Sequence, residues 1–126
     1  MIIIRIVSGN KTKKEVALVF KINDLSNSKN ITSILKDNNI PATLFIDGLY
    51  LENNIEYIES LSNFELELLS YDNQYNEIHF KAAKEYFESL TKRNAKYCYA
   101  DYDRKEIIEL CSSMKMHTII PTIKVP

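Results

Sequence analysis

The stretch EVALVFKIND, residues 15–24, decides the fold. Its first six residues, Glu15-Val16-Ala17-Leu18-Val19-Phe20, are nearly all apolar. That is the pattern of a strand covered on both faces, not the alternation of a strand with one wet side. It stops abruptly at Lys21, Ile22, Asn23 and Asp24. Sheets built from such strands carry their chemistry at the carboxyl ends, so the corner at 21–24 is the first place to look for function. An acidic residue or a histidine is the usual occupant of a working corner, and this one holds a lysine and an isoleucine.

Working outward, residues 2–7 read as a short strand interrupted by Arg5, joined to 15–20 through the polar segment 8–14 as a hairpin. Ile31, Ile34 and Leu35 then give a helical stripe, with Pro41 beyond its end. Residues 42–46 form a strand closed by Asp47-Gly48, and Ile55, Ile58 and Leu61 make a second stripe. In 64–69, Phe64, Leu66 and Leu68 alternate with Glu65 and Glu67, which predicts a strand with the glutamates on a solvated or edge face. Residues 76–92 are the longest helix candidate, with Ile78, Ala82, Ala83, Tyr86 and Leu90 on one side. A strand at 96–100 follows, then a helix opened by the capping-box spacing of Asp103 and Glu106, then a last strand at 118–120 ending at Pro121. Strands alternating with helices predict an α/β fold with a mostly parallel, curved sheet or part of a barrel. No linker, repeat or low-complexity tract divides residues 1–126, which predicts one domain.

Composition narrows the function. The chain has 126 residues, 45% of them hydrophobic, with Lys+Arg 16 against Asp+Glu 17. So even a balance gives no clustered basic face for nucleic acid or an anionic membrane, and no nucleic-acid partner is expected. No segment is long enough to span a bilayer, and no signal peptide opens the chain, so a cytoplasmic location is the default expectation. Cys98 and Cys111 lack zinc-knuckle spacing and read as small buried hydrophobes.

The order of segments resembles the polysaccharide deacetylases (carbohydrate esterase family 4, the NodB-homology domain). KKEVALVFKIND, NNIPATLFIDG, FELELLSYDN, KYCYADYD and SSMKMHTIIPTIKV follow one another as the family's segments do. The likeness is strongest in the scaffold at 16–20 and 40–48. It implies a partial or distorted (β/α) barrel with an N-terminal β-hairpin. It also implies removal of acetyl groups from sugar polymers by a divalent metal, held by an aspartate and two histidines, with a carboxylate base.

Carried over residue by residue, the base aspartate falls on Lys21 and the metal-binding aspartate on Ile22. The two histidines fall on Leu69 and Asn73, around a retained Ser70-Tyr71. The third motif falls on Tyr99, Ala100 and Asp101, with Tyr102 kept, and the fourth motif's tryptophan and aspartate fall on Pro121 and Lys124. Isoleucine and leucine cannot ligate, one amide is a weak ligand, and a lysine repels a dication. The chain contains only His79 and His117, and both read as surface or half-buried residues. The expectation is therefore a vestigial site at Lys21, Ile22, Leu69, Asn73, Tyr99, Asp101, Tyr102 and Lys124, with no catalytic residue, metal or cofactor.

Asp24, Tyr50, Tyr71, Tyr99 and Tyr102 sit at strand-end corners and are the candidate ligand-binding residues, as a stacking floor for sugar or as ordinary packed rings. The expected function is an inactive deacetylase-like domain that binds a glycan or a protein. The alternatives are a divergent deacetylase with a rebuilt site and a structural subunit that completes its barrel with a partner. A homodimer through an open sheet edge near 118–125 is also expected.

Overall fold

The computed structural model describes residues 2–7, 15–22, 25–72, 74, 76–100, 104–120 and 123–125. The turn expected at 8–14 lies outside the described residues. So do Asp24, Asn73, Asp101, Tyr102, Asp103 and Pro121, and Lys124 is described in its backbone alone. In chain order the elements are β1 (Ile2–Val7), β2 (Glu15–Ile22), α1 (Leu25–Asp37), β3 (Thr43–Ile46), α2 (Gly48–Asn53), α3 (Ile55–Glu59), β4 (Glu65–Leu68), α4 (Glu77–Thr91), β5 (Tyr97–Tyr99), α5 (Lys105–Ser113), β6 (His117–Ile119) and β7 (Ile123–Val125).

β1 and β2 form the expected antiparallel hairpin, with Ile2 opposite Phe20 and Val7 opposite Glu15. From β2 onward the neighbours β2–β3, β3–β4 and β5–β6 are parallel, as strands joined by helical crossovers should be. One continuous curved sheet was expected. Instead the strands fall into a five-stranded sheet, β4-β3-β2-β1-β7, and a two-stranded sheet, β5-β6.

The sheets meet at both ends. β4 packs against β5 without a backbone ladder. β6 and β7 are separated only by residues 120–122, yet β6 pairs with β5 while β7 pairs antiparallel with β1. The ends of the strand order are thus connected through the chain, and the arrangement is a partial, distorted barrel. β7 went unpredicted because a three-residue strand is too short for a periodicity to register. Its pairing covers the edge of β1 with the chain itself and leaves β7, within the 118–125 segment, at the end of the five-stranded order.

The registers of β2, β3 and β4 separate two faces. Phe20, Leu44 and Leu66 lie in line, as do Ile22, Ile46 and Leu68. This outward face packs on the helices in a core with Leu35, Leu51, Ile58, Phe80, Phe87 and Ile107. The opposite face carries Val19, Lys21, Phe45 and Glu67, and its apolar members join Leu69 and Tyr99 in a second, inner cluster.

The helices differ from expectation in detail. The buried stripe of α4 is Phe80, Ala83 and Phe87, while Ile78 is 77% exposed. Spacing alone could not decide between two adjacent apolar stripes, and the bulkier phenylalanines took the core. Ile34 likewise points outward from α1, 59% exposed. α5 is capped by the backbone of Arg104 with no side-chain bond, so the capping-box reading gave the start of the helix but not its cap.

Cys98 and Cys111 are buried as expected, but they are bonded to each other, with Cα atoms 6.0 Å apart. Cys98 on the outer face of β5 meets the inward face of α5, and two lone cysteines in sequence carried no sign of that meeting.

Candidate functional site

The carboxyl end of β3 carries a dense set of hydrogen bonds. Asp47 is buried and caps α2, its Oδ2 accepting from the backbone N–H groups of Leu49 at 3.2 Å and Tyr50 at 3.4 Å. The same carboxylate reaches the next corner. Oδ1 accepts from the Ser70 hydroxyl at 2.7 Å, and Oδ2 from the N–H of Asp72 at 3.2 Å. The N–H of Gly48 donates to the Ser70 carbonyl at 2.7 Å. A Cβ at Gly48 would stand 3.0 Å from the Tyr71 ring and 3.2 Å from Ala83, so a larger residue there would have to push these neighbours back by a few tenths of an ångström. Ser70 and Asp47 therefore hold the corners of β3 and β4 at a fixed separation.

Beside this brace lies the site inferred from sequence. Lys21, at the end of β2, places its ammonium 5.1 Å from the centre of the Tyr99 ring. Tyr99 is buried and tilts against Phe45 with ring centres 5.7 Å apart, and Leu69 and Val19 complete the packing. Lys21, Leu69 and Tyr99, three positions drawn from three separate segments, thus converge on one face. Ile22 does not join them. In register with Ile46, it lies in the outer core against the helices.

The described tyrosines, Tyr50, Tyr71 and Tyr99, do not assemble into one floor. Tyr50 is buried on the helical side, its hydroxyl 3.2 Å from that of Ser28 and its ring edge-on to Tyr57. Tyr71 turns toward α2 and α4, donating its hydroxyl to Glu52 at 3.3 Å and lying against His79. Partial burial, and then the Glu52 carboxylate beside it, raise the pKa of the Tyr71 phenol. Of the described candidates only Tyr99 lies under Lys21.

Glu67 is the residue that sequence reasoning misplaced. It is 1% exposed, on the inner face, and its Oε1 accepts from the N–H groups of Lys96 at 2.8 Å and Tyr97 at 3.1 Å. Burial, outweighing those two hydrogen bonds, pushes its carboxyl up to about 7. The signal was present in the architecture: an inner strand of a barrel has no wet face, so alternation there separates an outer core from an inner one.

Among the described residues a metal finds no fitting set of ligands. Ile22 and Leu69 carry no donor atom. Among the described residues no group of three histidine, cysteine, aspartate or glutamate side chains is placed to hold an ion.

The helix-flanked, largely parallel strands define an α/β protein of the distorted (β/α)-barrel class. The chain belongs to the polysaccharide deacetylase family, whose pattern matches residues 8–106. It is similar in structure to a carbohydrate esterase family 4 pseudoenzyme from Bacillus anthracis, at 20% identity and TM-score 0.64, over 81% of this chain and 42% of that one. A mutant of the same pseudoenzyme with restored enzymatic activity aligns at 17% identity and TM-score 0.65, over 88% and 56%. The polysaccharide deacetylase Bc1974 from Bacillus cereus aligns at 11% identity and TM-score 0.68, over 83% and 58%. The chain thus spans about half the length of these solved relatives. No curated protein matches the sequence.

Proposed function

We propose that this chain is a catalytically silent polysaccharide-deacetylase fold that serves as a binding module for a glycan or a protein. One observation carries the reading: at the end of β2, where the family's chemistry requires a carboxylate base, Lys21 lies over the buried ring of Tyr99, with Leu69 packed in the same cluster. A cation at that position cannot accept the proton of an attacking water, and Leu69 cannot hold the ion that would activate one. The pseudoenzyme among the structural relatives supports the reading, because the same scaffold exists without activity.

The test is acetate release from acetylated chitooligosaccharides and peptidoglycan fragments, with zinc, cobalt or manganese added and with a chelator. No release above the protein-free rate is expected in any condition. Release that needs a metal and stops with the chelator would overturn the proposal. Calorimetry with the same oligosaccharides then separates glycan binding from a protein partner.

A further inference from the structure

Around the barrel, β1–β2, β2–β3, β3–β4, β5–β6 and β1–β7 are each joined by a backbone ladder. β4 and β5 are not. The Glu67 side chain spans this gap, one carboxylate oxygen taking the N–H groups of Lys96 and Tyr97 at the entry to β5. Those donors would otherwise be satisfied by a neighbouring strand. Among the described residues, the hydrogen bonds that link β4 to the entry of β5 therefore rest on a titratable group that is almost wholly shielded from water.

We propose that the β4–β5 seam is a proton-controlled joint, closed while Glu67 is neutral and opening to water ahead of the rest of the fold once Glu67 is ionised. A neutral carboxyl still accepts both amide protons, whereas a buried carboxylate must be solvated or paired. The surrounding charges do not remove that demand. Glu65 on the same strand opposes ionisation, and Lys96 favours it more weakly than burial disfavours it. From β3 the in-register neighbour is Phe45, with no charge. From β2, Lys21 lies beyond Phe45 with its ammonium over Tyr99. From β5 and β6 come the rings of Tyr97 and His117, 6.4 Å apart, with His117 exposed.

The carboxyl, raised to about 7, titrates in the neutral range. Ionisation is relieved most cheaply where no ladder must break, which is at this seam. Tyr97 and Tyr99 are two residues apart on β5 and belong to the same inner cluster, so opening at Tyr97 loosens the ring beneath Lys21.

The experiment is amide exchange on the full chain from about pH 6 to about 8.5, expressed as protection relative to intrinsic exchange. Protection at Lys96 and Tyr97 should fall roughly tenfold over that range while the β2–β3 amides hold theirs. In Glu67→Gln, which keeps an acceptor without the charge, it should be flat. Carbon NMR titration of the Glu67 carboxyl in the unmodified protein should show a midpoint near 7, and it decides the matter even if the variant does not fold. A midpoint near the ordinary 4.5, or the same pH dependence in Glu67→Gln, overturns the proposal.

Discussion

The ammonium of Lys21 lies 5.1 Å above the centre of the Tyr99 ring, joining the end of β2 to the end of β5 across the inside of the barrel. The two residues are distant in sequence and are brought together by the fold, beside Phe45 and Leu69 on its inner face.

Tyr99 should be the anchor of this arrangement. Its ring is almost fully buried and meets Phe45 as well as Lys21. Tyr99→Ala should cost about 3–5 kcal/mol in urea unfolding, as large aromatic truncations in cores do. Lys21→Met, which keeps the stem and removes the charge, should cost less than about 1 kcal/mol. Equal losses from the two variants would show that the cation, not the ring, organises the corner.

Restoring the family's residues should fail at one position in particular. Ile22 faces the helices, packed in register with Ile46 in the outer core. Ile22→Asp therefore buries an unpaired carboxylate and should destabilise by about 3 kcal/mol or more. Lys21→Asp places its carboxylate on the inner face with Leu69, and should leave the thermal midpoint within a few degrees. A well-folded Ile22→Asp that binds cobalt would mean that β2 is shifted by one residue in solution.

The scaffold was legible in the sequence because it rests on periodicity. The apolar run at 15–20 and the segment at 42–46 found their parallel neighbours, and the convergence of Lys21, Leu69 and Tyr99 followed from segment order. What could not be read depends on contacts between distant segments. The bond between Cys98 and Cys111 and the seam at Glu67 both need two segments brought together by the barrel. Asp47 read as a turn residue, and only the fold shows that it also holds Ser70.

Asp47 should matter more for stability than any other polar residue at the described strand ends. Its carboxylate accepts from Leu49, Tyr50, Ser70 and Asp72. Asp47→Ala removes a helix cap and strands the buried Ser70 hydroxyl, at a cost of about 2–4 kcal/mol. Asp47→Asn keeps one acceptor and should lose less. Ser70→Ala in the Asp47→Ala background should add little, and a fully additive double variant would show the two groups to be uncoupled.

The disulfide gives an independent handle on the β5–α5 unit. It closes a short loop, with Cys98 and Cys111 13 residues apart in sequence. A loop of that size confines the unfolded chain enough to stabilise by about 3 kcal/mol. Reduction under denaturing conditions followed by refolding in reductant should lower the thermal midpoint by roughly 5 °C or more. Cys98→Ser with Cys111→Ser should show the same midpoint with or without reductant. An unchanged midpoint in the reduced wild-type protein would remove the bond from the stability of the fold.

Global stability should fall as pH rises through neutrality. The Glu67 carboxyl has its pKa raised from 4.5 to about 7 in the folded protein, because burial penalises the charged form. The folded chain thus binds a proton more tightly than the unfolded one, and folding gains from Glu67 in full below pH 4.5. The gain declines above that point and is gone once pH has passed through about 7. The raised value corresponds to about 3 kcal/mol at most, of which roughly 2 kcal/mol falls between about pH 5.5 and about pH 8.5. Chemical denaturation at about pH 5.5 and about pH 8.5 should therefore differ in the direction opposite to that of a salt-bridged carboxylate. In Glu67→Gln the difference should shrink by that amount. A wild-type protein that gains stability on going from the lower pH to the higher would show that Glu67 is ionised and satisfied within the barrel.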